Sequence, residues 1–335
     1  MATYFEKRMN RLALRREKQI DDYLSAFARR QVSLENSIQA EIDRFIERYA
    51  DKSGLDIEDA EKLLSKQEQA NWSITLAEFR EKAIKGGYQD ELDLSYFKSR
   101  VSRLQRLKGQ IYLLGAKQAV SERESLLDYL ARFGHESFYR LLYEITDKGA
   151  VDLYIDWGKF NLTYFKRVAS YQWKGSDFSK RIWHNYTKEI PERVSRALTL
   201  GAVHGWGVDE MKQEAFKGVT NVTKYRMYTL IQTEAAHVAE MAAADTYKEA
   251  GIERWRWRAT LEVHTCDRCA SLDGQTFDVD GNQAPPPSAH PNCRCFSEPV
   301  IDGWEPAKRW SRDPVTGKGE FVSNLTFKEW RDQVA

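Results

Sequence analysis

Five side chains that bind soft metals crowd into one short stretch of this chain. Cys266-x-x-Cys269 comes first, and His290-Pro291-Asn292-Cys293-Arg294-Cys295 follows. All four cysteines lie here, with none in the 265 residues before Cys266 or the 40 after Cys295, so they form one unit. Thiolates are soft ligands, and two chain segments that each supply a pair can close a tetrahedral site. Four ligands suffice, so one of the five is surplus. The first set is Cys266, Cys269, Cys293 and Cys295; the second has His290 in place of one of the last two. Either set fills the coordination sphere with protein groups, which makes a structural zinc, because a catalytic zinc keeps an open position. Two other chemistries stay open, disulfides and reduced thiols packed in a core. The charged Met1–Arg30 stretch reads as no secretory signal, and the cytosolic setting this implies disfavours stable disulfides.

The elements around these donors must position them. Arg254 to Ala259 alternates Trp255, Trp257 and Ala259 against Arg254, Arg256 and Arg258, the period of a strand with one apolar face. A helix from about Thr223 to Glu249 precedes it, with Met227, Leu230, Ile231, Ala235 and Val238 at helical spacing, and Gly251 ends that helix. Gly274 to Val279 reads as the second arm of a hairpin, with Phe277 inward. A loop at Pro285, Pro286 and Pro287 leads back to His290. In so small and loop-rich a module a metal can stand in for a core. Glu234 and His237 lie on the long helix. A catalytic reading makes Glu234 a general base, but no nucleophile or oxyanion donor accompanies it. The pair therefore reads as polar groups that pin the helix to the strand.

Arg256-Trp257-Arg258-Ala259-Thr260, His264-Thr265-Cys266-x-x-Cys269, Leu272-Asp273-Gly274, Phe277 and His290-Pro291-Asn292-Cys293-Arg294-Cys295, with Ile231-Gln232-Thr233-Glu234 and Ala250-Gly251-Ile252 upstream, resemble the C-terminal signature of the phage MuF-like minor head proteins, the head morphogenesis family. The resemblance runs from about Ser176 to Cys295. It departs at Gln232, where the family pattern has Arg. It implies a minor component of the capsid interior, in the host cytoplasm during assembly and then in the virion. The partners it implies are the portal protein and a scaffold or major capsid protein, with contact to packaged DNA during packaging or ejection.

The rest of the chain reads as helix. Lys and Arg number 51 against 50 Asp and Glu, so no overall field draws the protein to nucleic acid or an acidic membrane face. No apolar run approaches the roughly 20 residues that cross a bilayer. Leu34, Ile38, Ile42, Phe45 and Tyr49 mark a helix over residues 4–50. Helices continue over 57–147, closed at Gly86-Gly87 and punctuated by Gly115 and Gly134. The first proline is Pro191, as a helical first half requires. The dense aromatic stretch 151–176 reads as a strand pair or irregular connector. The expected fold is mainly α with a small α+β C-terminal module: a helical region 1–150, an aromatic connector 151–176, a MuF-like domain 177–297 with a Cys/His knuckle, and an extended tail 298–335.

Two arginine rows are candidate contacts for nucleic acid or an acidic partner. Arg100, Arg103 and Arg106 lie on one stripe of a helix, and Arg254, Arg256 and Arg258 on one face of the strand. Each row equally fits ion pairing with a neighbouring element. The alternative functions are a zinc-containing nucleic-acid-binding protein or an HNH-like nuclease. The nuclease needs a further His or Asn close downstream to hold its catalytic metal, and no histidine follows Cys295. A zinc deaminase needs His-x-Glu before Pro-Cys-x-x-Cys, an order absent here. The sequence thus points away from an enzyme.

Overall fold

The computed structural model describes residues 4–50, 103–146, 158–173, 177–204, 206–281, 290–302, 306–316 and 318–334. Arg100, the Gly86-Gly87 break and the three-proline loop lie outside the described residues. The chain is mainly helical, with small antiparallel strands confined to its C-terminal part. The helices are α1 (Tyr4–Ala50), α2 (Arg103–Thr146), α3 (Leu162–Ser170), α4 (Phe178–His184), α5 (Ile190–His204), α6 (Val208–Thr220) and α7 (Met227–Glu249). There follow β1 (Arg254–Arg258), α8 (Asp267–Leu272), β2 (Thr276–Asp278), β3 (Phe296–Pro299), β4 (Lys308–Arg312), β5 (Gly319–Ser323) and α9 (Phe327–Val334). Described residues of Met1–Ala26, Glu124–Phe178 and Tyr228–Ala335 form one compact unit, and those of Phe27–Arg123 and Ser179–Met227 another.

The second of these units is all helix. Leu34, Ile38, Ile42 and Phe45 of α1 are buried as their spacing predicts. One polar network lies within it around the buried Glu122. Glu122 accepts from Arg30 Nε and Nη2 at 2.9 Å and from Gln31 Nε2 at 3.0 Å, and Gln31 in turn accepts the Tyr186 hydroxyl at 2.7 Å. Two π-helical turns, Asn185–Glu189 and Asn221–Arg226, join α4 to α5 and α6 to α7 without a break. The first precedes Pro191, which has no N–H to give and crowds the carbonyl four residues back. The wider turn, closed by Ile190 N–H on Asn185 O, accommodates it.

α2 corrects one expectation. Gly115 and Gly134 do not punctuate it; both lie inside the helix. Close approach explains them. A Cβ at Gly115 would stand 2.2 Å from the backbone oxygen of Tyr186, and one at Gly134 would stand 2.7 Å from side-chain carbons of Phe165 and Val238. Alanine is the better helix former by about 1 kcal/mol, yet Gly115→Ala should lower stability by about 1–3 kcal/mol, because backbone must move to admit the methyl. The urea midpoint should fall with the slope unchanged. An unchanged or higher midpoint would contradict the close contact.

The other unit holds the sheet. The strand order is β2-β1-β3, antiparallel throughout, with Trp255 opposite Phe277 and Pro299, and Arg256 opposite Glu298. The predicted hairpin is therefore present, and β3 adds a third strand. Trp255, Trp257 and Ala259 are buried in one core with Phe138, Leu141 and Leu142 of α2 and Ala242, Ala243 and Tyr247 of α7. α7 ends in a Schellman motif: Gly251 takes φ 64°, its N–H bonds Lys248 O, and Ile252 N–H bonds Tyr247 O. Two further expectations are corrected here. Residues 162–170 form a helix, not a strand. Asn161 caps it, accepting from Tyr164 N–H, and Phe165 and Ala169 face inward at helical spacing. The tail is not extended: β4 and β5 make a hairpin, and Phe327 and Trp330 of α9 enter the same core as Trp257.

Candidate metal centre

Cys266 and Cys269 sit at the start of α8. Cys266 is its N-cap, its sulfur accepting the Cys269 N–H at 3.5 Å, so the two sulfurs of Cys-x-x-Cys meet across one helical turn. The preceding loop is fixed by Thr265, which donates its hydroxyl to Thr260 O at 2.5 Å. The second donor group comes from a turn in which Cys293 N–H bonds His290 O at 3.2 Å and Asn292 takes the left-handed φ of 59°.

The structure brings all five predicted donors together. His290 Nε2 lies 3.3 Å from Cys266 Sγ and 3.2 Å from Cys269 Sγ, and Cys269 Sγ lies 3.9 Å from Cys293 Sγ. Cys266, Cys269 and His290 form one close group, and Cys269, Cys293 and Cys295 another. Cys269 belongs to both. All four cysteines are free thiols, and Cys269, Cys293 and Cys295 are buried. The disulfide alternative is not what this structure holds.

His290 carries an assignment of tautomer. Its Nδ1 lies 3.0 Å from Pro291 O, and a carbonyl can only accept, so Nδ1 carries the proton. Nε2 then presents its lone pair to the sulfurs, the arrangement in which histidines ligate metals through one nitrogen while the other donates to a backbone carbonyl. The hydrogen bond shared with Cys293 pushes the Cys269 thiol up, and hydrogen bonds from Cys269 and Cys295 pull the Cys293 thiol down. Thiols packed this closely beside an imidazole lone pair can give up their protons to a cation. The donor set therefore fits a metal ion.

The supporting contacts were mostly missed in the sequence. Asn292 N–H donates to Thr233 Oγ1 at 3.0 Å, and Asn292 Nδ2 to Thr229 Oγ1 at 3.3 Å, which hold the His290–Cys295 turn against α7. In the sequence Thr233 stands out only as part of the Ile231-Gln232-Thr233-Glu234 motif. Arg294, between the last two cysteines, reaches Glu262 at 2.9 Å. Asp273 of the Leu-Asp-Gly motif accepts Ala259 N–H at 2.8 Å and Phe327 N–H at 2.7 Å, and it meets both terminal nitrogens of Arg309 at 2.7 and 2.8 Å. The sequence signal was the motif itself.

Other candidates are placed as follows. Glu234 is buried and accepts Trp173 Nε1–H at 2.9 Å, while His237 stacks on the Trp173 ring at 4.1 Å. The pair pins α7 to the segment at Trp173. Arg258 is buried, with its Nε 2.5 Å from Glu298, and Arg256 Nη1 lies 4.0 Å from the same carboxylate. Arg254 is exposed. Arg256 and Arg258 thus take the ion pairing that the sequence allowed, cross-strand to Glu298 of β3, while Arg254 stays exposed. Arg103 and Arg106 belong to α2.

No solved structure matches this chain. An uncharacterized protein of Haemophilus influenzae (strain ATCC 51907 / DSM 11121 / KW20 / Rd) is 25% identical over 157 residues, which are 46% of this chain and 33% of the relative. The chain thus spans about a third of the length of that relative. Residues 190–298 match the family described as Phage Mu protein F like protein. That span holds α5 to β3, with every cysteine and His290 inside it. In this part of the chain, residues 190–298, the resemblance drawn from the cysteine signature to the Mu F-like family is borne out.

Proposed function

We propose that this protein is a minor head protein of a phage, held inside the capsid and associated with the portal during assembly. The observation that carries this reading is the match over residues 190–298 to the Phage Mu protein F like family, whose span contains the whole Cys/His cluster. In the proposal the cluster holds a structural zinc: four protein ligands close the ion off from substrate, and their contribution is folding energy rather than chemistry. Cys266, Cys269 and His290 with Cys293 or Cys295 would supply those ligands. No helix among the described residues is long and apolar enough to cross a membrane.

The test is co-expression with the portal protein of the same phage, followed by affinity capture. Co-purification that survives moderate salt is the expected result. A folded protein that never co-purifies with portal, and a polypeptide missing from both procapsids and mature virions, would overturn the proposal.

A further inference from the structure

The donors of the Cys/His cluster are not all placed in the same way. Cys266 and Cys269 are fixed by α8, and Cys295 directly precedes β3, which is paired along β1. His290 and Cys293 belong to neither helix nor strand. Between them stands Asn292 with a φ of 59°, a left-handed backbone that a residue with a side chain keeps where its surroundings fix it. What fixes it lies on α7. Thr233 is 4% exposed and donates its hydroxyl proton to Thr229 O, one turn back, at 2.5 Å. With that proton committed, the Thr233 oxygen is left to accept, and Asn292 N–H donates to it at 3.0 Å. The Asn292 side chain adds a second bond, Nδ2 to Thr229 Oγ1 at 3.3 Å. The two threonines are four residues apart, so both lie on the one face of α7 that meets the turn.

We propose that Thr233 is a positioning residue of the metal centre, an inference that rests on the zinc reading of the Cys/His cluster. By holding Asn292 N–H it keeps His290 Nε2 and Cys293 Sγ turned toward Cys269, 3.2 and 3.9 Å away. It thereby sets the affinity for the ion without touching it. Bonds behind the ligands that orient them commonly carry about 10–100-fold in metal affinity. The coupling is reciprocal: an ion that fixes the turn also fixes its seat on α7, so occupancy of the centre reaches the long helix through Thr233.

The experiment is titration of the full chain with zinc against a chromogenic chelator, and with cobalt(II) followed by its visible absorption. Thr233→Val nearly keeps the side-chain shape and removes the acceptor. It should bind zinc about 10–100-fold more weakly and alter the thiolate-to-cobalt absorption, although every ligand is still present. Thr233→Ser keeps the oxygen and should restore most of the affinity. Asn292 is exposed, so its variants leave the core alone. Asn292→Ala makes the left-handed backbone costlier and should weaken zinc in the same sense, whereas Asn292→Gly, which takes that backbone freely, should lose less. A role confined to stability would lower the melting temperature of the metal-free chain and leave affinity and spectrum alone. Zinc affinity at the parent level in Thr233→Val and Asn292→Ala, or Thr233→Ser as weak as Thr233→Val, would overturn the proposal alone. A parent chain that takes up neither zinc nor cobalt would overturn the zinc reading and the proposal together.

Discussion

Cys269→Ser should abolish metal binding and unfold the sheet module while most of the helix survives. Cys269 is the thiol common to both donor groups, so its loss leaves each with two donors. It is also 1% exposed, in the core with Trp255 and Trp257. Serine there is a poor ligand for a soft site and leaves a buried hydroxyl among the remaining thiols. Metal binding in such modules is folding free energy, and with the buried polar group added the cost should be on the order of 4 kcal/mol or more. Purified wild-type protein should carry about one zinc per chain by elemental analysis, and the variant none. The near-ultraviolet dichroism of the tryptophans should collapse, with far-ultraviolet helix signal largely kept. Cys266→Ser, at a half-buried position, should lose metal with a smaller loss of stability. Wild-type protein that is metal-free as purified and as stable as Cys269→Ser would sink the zinc assignment.

Some parts of this molecule were plain in the sequence because one physical signal sufficed. The buried face of α1 is a run of apolar residues at helical spacing, and the cysteine cluster is a matter of residue type and distance along the chain. β1 was legible because its inward positions, Trp255, Trp257 and Ala259, are apolar. β4 was not, because its buried positions are Arg309 and Ser311, at 5% and 0% exposure. Apolar periodicity cannot find a strand whose inward face is polar. β3 is hidden for the same reason, with Ser297 and Glu298 buried. Gly115 and Gly134 misled in the other direction. Glycine in a helix suggests an end by propensity, but a close neighbour can require it mid-helix, and that neighbour lies many residues away. Arg258 shows the limit most clearly: the alternation allows both a solvent-facing arginine and an ion-paired one, and only the position of β3 decides between them.

That hidden polar interior makes the second large prediction. Arg309 on β4 and Asp273 after α8 form a doubly bonded ion pair in which the side chains are 5% and 3% exposed. Arg309 also donates to the backbone oxygens of Ala259 and Leu325, and Asp273 accepts from Ala259 and Phe327. One pair thus ties the end of β1, the β4–β5 hairpin and the start of α9. Removing one partner strands the other charge in a dry site, at a cost of about 3–5 kcal/mol. Arg309→Leu and Asp273→Leu should each destabilise by that amount. The double variant removes both charges, so its loss should fall well short of the sum, since burying an isolated charge is the dominant penalty. Because Asp273 holds Phe327 N–H directly, Asp273→Leu should also release α9, seen as proteolytic clipping after Ser323 at protease levels that leave the parent intact. A denaturant-derived double-mutant cycle measures the coupling. Losses that simply add would show that the two residues act apart, and would leave the tail held by Phe327 and Trp330 alone.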